Sequence, residues 1–246
     1  MNILLTNDDG YLSSGLMLLT EKLSALGHNV YVVAPDGNRS ACSHSVNFYK
    51  KLLIRKLDNY CGATAAYICE GSPADCVKYA DSCLDIKFDL LISGPNNGDN
   101  YGDSAMYSGT VGAAEEGVAC GIKSIALSRS GYNVAFSSAV EYVCRDLHKL
   151  CQVNIPYTLL NINVPNLPLE QIKGVRVTKQ SMSPNWDDYF EATDDPERWF
   201  HTGDKLKITG EVSDVTLCDD GYIVIVPLTL ERTNYKAIES LKDLES

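Results

Sequence analysis

The chain has 246 residues and a formal net charge of -11, with 45% hydrophobic and 22% charged residues. This length allows one large domain or a domain with an appendage, and the composition is that of a globular protein. The negative charge disfavours polymeric nucleic acid as the main ligand, because no cluster of Lys and Arg opposes it. Apolar stretches of strand length and a start without a secretion signal predict a cytoplasmic protein without a membrane span.

Strand and helix patterns alternate through the first two thirds of the chain. Short apolar runs predict strands over 3–6, 29–34, 48–57, 63–69, 89–93, 124–128 and 158–164. Apolar residues at helical spacing predict helices over 15–26, 108–120 and 134–151, and Ser72 followed by Pro73 predicts a further helix start. This alternation predicts an α/β fold, in which helices cover both faces of a mostly parallel sheet.

The pattern changes after residue 170. Strands are predicted over 175–179, 205–209 and 222–226, and a short helix over 235–244. The segment 183–204 is rich in Pro, Asp and Trp and has no clear periodicity, which predicts a functional or interface loop.

Two adjacent carboxylates, Asp8 and Asp9, follow the first predicted strand directly. Neighbouring like charges cost free energy unless a cation or strong donors offset them, and ligands bind where strands of α/β sheets end. Carboxylate oxygens favour magnesium, manganese or calcium, so the pair indicates a metal site. From this motif alone a simple turn is equally consistent, because Asp-Asp-Gly is also common turn chemistry.

A loop rich in Gly and Asn, SGPNNGDNYG from residue 93, follows another buried strand. Its position at the end of a strand favours ligand binding, and Asn96 is the residue expected nearest to Asp8 and Asp9. An ordinary exposed turn is the competing interpretation.

Hydroxyl groups and glycines also mark the start of the helix predicted over 108–120. Ser108, Gly109 and Thr110 would offer free N–H groups and a favourable helix dipole to an anion, for which phosphate is the natural candidate. The segment is not a P-loop, because the lysine of that motif is missing. The competing interpretation is that Ser108 only caps the helix.

The loop after the second predicted strand, PDGNRS, holds two further candidates. Ser40 could supply a hydroxyl ligand and Arg39 could balance a phosphate or carboxylate, although a solvated loop is equally consistent with this segment. His44 in the same region is a candidate for proton transfer.

Taken together and in this order, the strings LLTNDDG, APDGNRS, ISGPNNGDNYG and YSGTVGAAEEG closely resemble the SurE (survival protein E) family. LNINVPNLPLEQIKGVRVT is similar as well, so the resemblance extends to about residue 180. It implies a metal-dependent phosphatase that hydrolyses nucleoside 5'- and 3'-monophosphates. It also implies a single domain over 1–246, with a Rossmann-like core over 1–170. The rest, 171–246, would form a β-hairpin and a C-terminal arm used in a homodimer or homotetramer.

The resemblance also assigns site residues. One divalent cation, Mg or Mn, would be held by Asp8, Asp9, Ser40 and Asn96. The substrate phosphate would be bound by Asn100, Ser108, Gly109 and Thr110. The chain departs from the family at Ala41, where a glycine is common, which affects the expected shape of that loop but not the ligation by Ser40. Residues 181–220 match no motif, so nucleobase preference cannot be transferred.

The mechanism implied is attack of a metal-activated water on phosphorus, with Asp8 and Asp9 as catalytic residues that anchor the metal. A phosphatase that attacks through an aspartate would need D-x-D instead of adjacent aspartates. A non-catalytic nucleotide-binding module and a Rossmann-type glycosyltransferase are two further classes that an α/β core of this kind would fit.

Overall fold

The computed structural model describes residues 1–131 and 135–245. The strands are β1 Asn2–Thr6, β2 Asn29–Pro35, β3 Ile54–Leu57, β4 Ala65–Cys69, β5 Leu90–Asn97, β6 Ser124–Arg129, β7 Thr158–Val164, β8 Val175–Val177, β9 Trp186–Ala192, β10 Trp199–Lys205 and β11 Ile223–Thr229. The helices are α1 Ser14–Ala25, α2 Pro73–Cys83, α3 Gly109–Ala119, α4 Ser137–Gln152, α5 Asp214–Asp219 and α6 Tyr235–Ser240. Short 3-10 helices are Gly102–Tyr107, Leu169–Gln171 and Lys242–Leu244.

Nine strands form the main sheet, in the order β3-β4-β2-β1-β5-β6-β7-β11-β8. All neighbours are parallel except β3 against β4 and β11 against β7. The central order β4-β2-β1-β5-β6-β7 is that of a Rossmann fold, and the chain reverses its direction of winding between β1 and β5. The α/β fold with a mostly parallel, Rossmann-like sheet is therefore confirmed.

Helices pack on both faces of this sheet, as predicted. In β1 the side chains alternate, so Ile3 and Leu5 belong to the same core cluster as α1 and α4. Leu4 points the other way, into the cluster formed with α2 and α3. Because β1 is buried from both sides, its sequence is a continuous apolar run.

Two sequence predictions are corrected here, and a third falls partly outside the described residues. The strand predicted over 48–57 is confined to β3, because Phe48 and Tyr49 are exposed and pair with no strand. The glycine-rich loop begins later than expected, since β5 continues to Asn97. The start of the helix predicted over 134–151 lies outside the described residues at Val134, and α4 is described from Ser137.

The segment predicted as a loop over 183–204 is instead a two-stranded antiparallel hairpin, β9 and β10. Almost all of its side chains are exposed, so burial imposes no alternating pattern that sequence analysis can detect. The strand predicted over 205–209 is also wrong, since the observed strand β10 ends at Lys205. A C-terminal hairpin extension was nevertheless expected from the resemblance, and it is confirmed.

Residues beyond 170 also contribute to the main sheet. The end of the chain forms a short helix, α6, followed by a 3-10 turn, as predicted. β8 and β11 extend the sheet past β7, so the core draws on the C-terminal quarter of the chain as well. Within the described part of the chain, no helix is long and apolar enough to cross a bilayer.

Candidate metal and phosphate site

Asp8 and Asp9 lie at the carboxyl end of β1, beside the point where the strand order reverses. The turn that carries them is closed by Asn7, whose side chain donates to the Gly10 carbonyl at 3.0 Å and accepts from the Gly10 N–H at 3.2 Å. Gly10 has φ +94°, and a Cβ there would lie 2.9 Å from the backbone of Gly37. The Asp-Asp-Gly segment is therefore a turn, and that turn lies at the ligand-binding edge of the sheet.

The Asp8 carboxylate is almost completely buried, at 3% exposure. Thr110 Oγ1, on the first turn of α3, donates a hydrogen bond to Asp8 Oδ1 at 2.7 Å. Burial, together with the charge of Asp9, raises the pKa of Asp8 to about 6, although the Thr110 bond acts in the opposite direction. A nearby cation would remove this electrostatic cost.

Asp9 is half-buried and is held from the other side of the reversal point. The N–H of Asn97 donates to Asp9 Oδ2 at 3.1 Å. Burial raises the pKa of Asp9, whereas the Asn97 N–H and the positive charge of Arg129 lower it. The two carboxylates are thus fixed by different elements, Asp8 by α3 and Asp9 by β5.

Asn96 reaches this edge because β5 is irregular. The pairing of β5 with β6 shifts register between Ser93 and Asn96. Gly94 allows this, since a Cβ there would come within 2.1 Å of the Leu127 carbonyl oxygen. The Asn96 side-chain nitrogen donates to the Gly98 carbonyl at 3.0 Å, which leaves the side-chain oxygen as the atom suited to a metal.

The loop that carries Ser40 lies against Asp8. The N–H of Arg39 donates to the Asp8 main-chain carbonyl at 2.7 Å, which brings the neighbouring Ser40 to the same edge. Ser40 itself is exposed. Ala41 has φ +57°, the left-handed conformation that glycine adopts most easily. The loop thus keeps a glycine-like backbone although this chain has alanine there.

The start of α3 approaches Asp8 closely. A Cβ on Gly109 would lie 3.0 Å from the Asp8 Cβ and 2.7 Å from Cys42 Sγ, so only glycine allows this distance. Ser108 Oγ accepts from the Val111 N–H at 3.0 Å, which confirms the capping role. The Ser108 hydroxyl proton remains free for a ligand, and the N–H groups of the first turn lack intrahelical acceptors.

Asn100 is built into a buried amide network instead of contacting Asp8. Its side chain donates to Ser128 Oγ at 2.8 Å, and its N–H donates to Asn163 Oδ1 at 2.8 Å. Its carbonyl accepts from the side chains of Asn161 and Asn163. These bonds tie the glycine-rich loop to β6 and β7, and phosphate binding by Asn100 stays a prediction.

Sequence analysis missed Arg129 and Asn97. The Arg129 guanidinium is buried, donates to the Asn97 side-chain oxygen and lies over the Phe136 ring at 4.7 Å. Asn97 in turn supports Asp9 through its N–H. A signal was available, because Ser128 and Arg129 end a buried strand, the position at which the other candidates were found.

The donors at this edge suit a hard cation. Among residues 1–131 and 135–245, no group of three or more His, Cys, Asp or Glu side chains is arranged to hold a metal. A cation here would have two charged ligands, Asp8 and Asp9, with neutral oxygens and water for the rest. That set favours magnesium or manganese over zinc.

The fold and the site define a class of protein. It is a Rossmann-like α/β protein in which paired carboxylates and the start of a helix meet beside the reversal point of the sheet.

Comparison with known proteins identifies the family. Residues 3–187 match the family described as Survival protein SurE. A protein named 5'-nucleotidase SurE from Petrotoga mobilis is 39% identical over 253 residues, which cover 98% of both chains. The protein of the same name from Aquifex aeolicus is 40% identical over 250 residues, which cover 98% of this chain and 97% of the relative. The crystal structure of the SurE protein from Aquifex aeolicus matches with a TM-score of 0.85, 38% identity and full coverage of both chains. The chain belongs to the SurE family, as its motifs indicated.

Proposed function

We propose that this chain is a metal-dependent phosphomonoesterase that hydrolyses nucleoside 5'-monophosphates, and also 3'-monophosphates, to nucleoside and phosphate. The relatives named 5'-nucleotidase SurE support this activity. The observation that carries it is the contact between Asp8 and the start of α3, where Thr110 donates to the Asp8 carboxylate at 2.7 Å. A cation site and an anion site that touch are what phosphate-ester hydrolysis requires.

In this proposal one divalent cation, Mg or Mn, is held by Asp8, Asp9, Ser40 and Asn96. When bound, such an ion neutralises phosphate charge and activates water. The two carboxylates hold it in place, and neither acts as a nucleophile. Thr110 and the Asn97 N–H restrain one oxygen of Asp8 and one of Asp9, which fixes both carboxylates as ligands.

The start of α3 binds the phosphate. The N–H groups of Gly109 and Thr110 face the negative oxygens and are favoured by the helix dipole. The Ser108 hydroxyl donates to the same group, and Asn100 of the glycine-rich loop is the fourth phosphate-binding residue of this proposal. These donors stabilise the charge that develops as water adds to phosphorus and the bond from phosphorus to the nucleoside oxygen breaks.

A panel of nucleoside 5'- and 3'-monophosphates, assayed for phosphate release with Mg²⁺, Mn²⁺ or EDTA, tests the proposal. We expect release with either metal and none with EDTA. Absence of phosphate release under every condition would refute the proposed phosphatase activity. Nucleotide binding without release would instead favour a non-catalytic module, and a trapped phosphoaspartyl enzyme would favour attack by an aspartate.

We also propose a homodimer or homotetramer. The segment after β11 carries exposed apolar side chains on and around α6, namely Tyr235, Ile238, Leu241 and Leu244. Exposed apolar side chains grouped in this way are typical of interaction surfaces. Light scattering coupled to size-exclusion chromatography gives the subunit number, and a monomer at all concentrations would contradict this assignment. The cytoplasmic location stays a prediction from the sequence.

A further inference from the structure

A cluster of charged side chains lies beyond the metal ligands, on the flank of α3. His44 Nδ1 is 3.1 Å from Glu115 Oε2, and His44 Nε2 is 2.8 Å from Glu116 Oε2. The two carboxylates raise the pKa of His44 to about 9. The ring is therefore an imidazolium at neutral pH, with both N–H groups donating to α3.

Glu116 makes this cluster more than a surface ion pair, because its side chain is only 7% exposed. Its second oxygen accepts from Lys78 Nζ of α2 at 2.7 Å, and Cys120 Sγ donates to the same oxygen at 3.7 Å. Glu115 Oε2 also lies 3.7 Å from Arg232 Nη2. Loss of His44 would leave the nearly buried Glu116 charge with Lys78 as its remaining cationic partner, and weaker pairing of a buried charge is costly.

The loop next to His44 also contacts α3 and is bonded to the 3-10 helix that precedes it, Gly102–Tyr107. A Cβ on Gly112 would lie 2.6 Å from the Ser43 carbonyl oxygen, so loop and helix are in direct contact. The Ser43 N–H donates to the Tyr107 carbonyl, and Ser43 Oγ donates to the Met106 carbonyl, both at 2.9 Å.

These contacts place the exposed Ser40 between two anchors. The Arg39 N–H is bonded to Asp8 on one side; on the other side Ser43 is bonded to the 3-10 helix before α3, and His44 to α3 itself. We propose that His44 is a positioning residue: its ion pairs with Glu115 and Glu116 hold the loop so that Ser40 is presented to the cation beside Asp8. This inference rests on the proposed function for its activity readout.

The same geometry argues against proton transfer by His44. Both ring nitrogens already donate to carboxylates, so neither is available to protonate the departing nucleoside oxygen. A positioning role and an acid role therefore predict different behaviour with substrates of different leaving-group basicity.

The test compares His44→Gln with the wild type and with His148→Gln, a change at an exposed histidine of α4 outside the cluster. Calorimetry with Mn²⁺ alone measures metal affinity, and phosphate release is measured from AMP and from p-nitrophenyl phosphate. We expect His44→Gln to weaken Mn²⁺ binding by about 10-fold, the range seen for residues that orient ligands. We expect equal factors of activity loss on the two substrates. His148→Gln should match the wild type in both measurements.

A loss confined to AMP, with unchanged Mn²⁺ affinity, would overturn the proposal in favour of an acid role. Unchanged Mn²⁺ affinity with only a lower melting temperature would reduce His44 to a structural residue and also overturn it. If His44→Gln does not fold, Glu115→Gln replaces it in the test. We expect this variant to lose Mn²⁺ affinity by a smaller factor, and an unchanged affinity would contradict the proposal. Because calorimetry needs no turnover, positioning can be judged even if the wild type releases no phosphate.

Discussion

The site at the carboxyl edge of the sheet and the β9–β10 hairpin differ in how their side chains are held. At the site, Asp8 is buried and Asp9 is half-buried, and each carboxylate is fixed by a partner from another element, Thr110 for Asp8 and Asn97 for Asp9. In the hairpin, almost every side chain is exposed and the strands are joined by their own backbone ladder. Substitutions at the edge should therefore alter activity or stability, whereas those in the hairpin should alter neither strongly.

Among these predictions, we expect the free energy of unfolding to change most when a rise in pH removes the charge of His44. Its pKa is raised from 6.5 to about 9 in the folded chain, so its ion pairs stabilise fully below pH 6.5 and are lost as the pH rises through about 9. The shift corresponds to about 3 kcal/mol. Denaturant unfolding of wild type and His44→Gln between pH 6 and 10 measures it. A difference between the two chains that does not shrink with rising pH would contradict the ion pairs.

The next effect concerns the bond that links α3 to Asp8. Thr110→Val removes the hydroxyl that orients this carboxylate, and we expect a loss of about 10- to 100-fold in kcat/KM with Mn²⁺. Thr110→Ser keeps the hydroxyl and should recover most of the activity. Equal activity in the valine and serine variants would show that the bond has no role.

A smaller effect is expected in the loop beside Ser40. Ala41→Gly relieves a left-handed alanine, and we expect a gain of about 1 kcal/mol in the free energy of unfolding. Ala25→Gly at the end of α1 is the matched control and should lose up to about 1 kcal/mol. If both changes lower the free energy of unfolding, the left-handed backbone of Ala41 is not strained.

The hairpin should respond least. Phe190 is 65% exposed and stacks on His201, so Phe190→Ser should change the free energy of unfolding by less than about 0.5 kcal/mol. Leu91→Ala, at a fully buried position of β5, should cost about 2 to 5 kcal/mol. Similar costs at the two positions would mean that the hairpin is packed against something in solution.

This contrast also explains what could be predicted from the sequence. β1 was predictable because burial from both sides demands an apolar run, and Asp8 and Asp9 were recognisable because they follow it directly. The hairpin was missed as a pair of strands because no buried face imposes alternation on residues such as Tyr189 and Phe200.

Contacts between distant elements set the remaining limit. The hydrogen bond from the Asn97 N–H to Asp9 depends on a register shift in β5. The position of Asn100 depends on its hydrogen bond to Asn163 of β7. Neither arrangement leaves a local pattern. The resemblance supplied Asp9 and Asn100 but not their partners Asn97 and Asn163, which only the folded chain shows.

The most direct test of the central claim is Asp8→Asn compared with Asp58→Asn, a change at an exposed carboxylate outside the site. We predict that Asp8→Asn lowers Mn²⁺-dependent phosphate release from AMP by more than about 100-fold, beyond the range for residues that only orient ligands. It should not lower the midpoint of unfolding, because burial of the charged Asp8 carboxylate costs the folded state stability. Asp58→Asn should keep full activity. Wild-type turnover in Asp8→Asn would contradict the assignment of this edge as the active site.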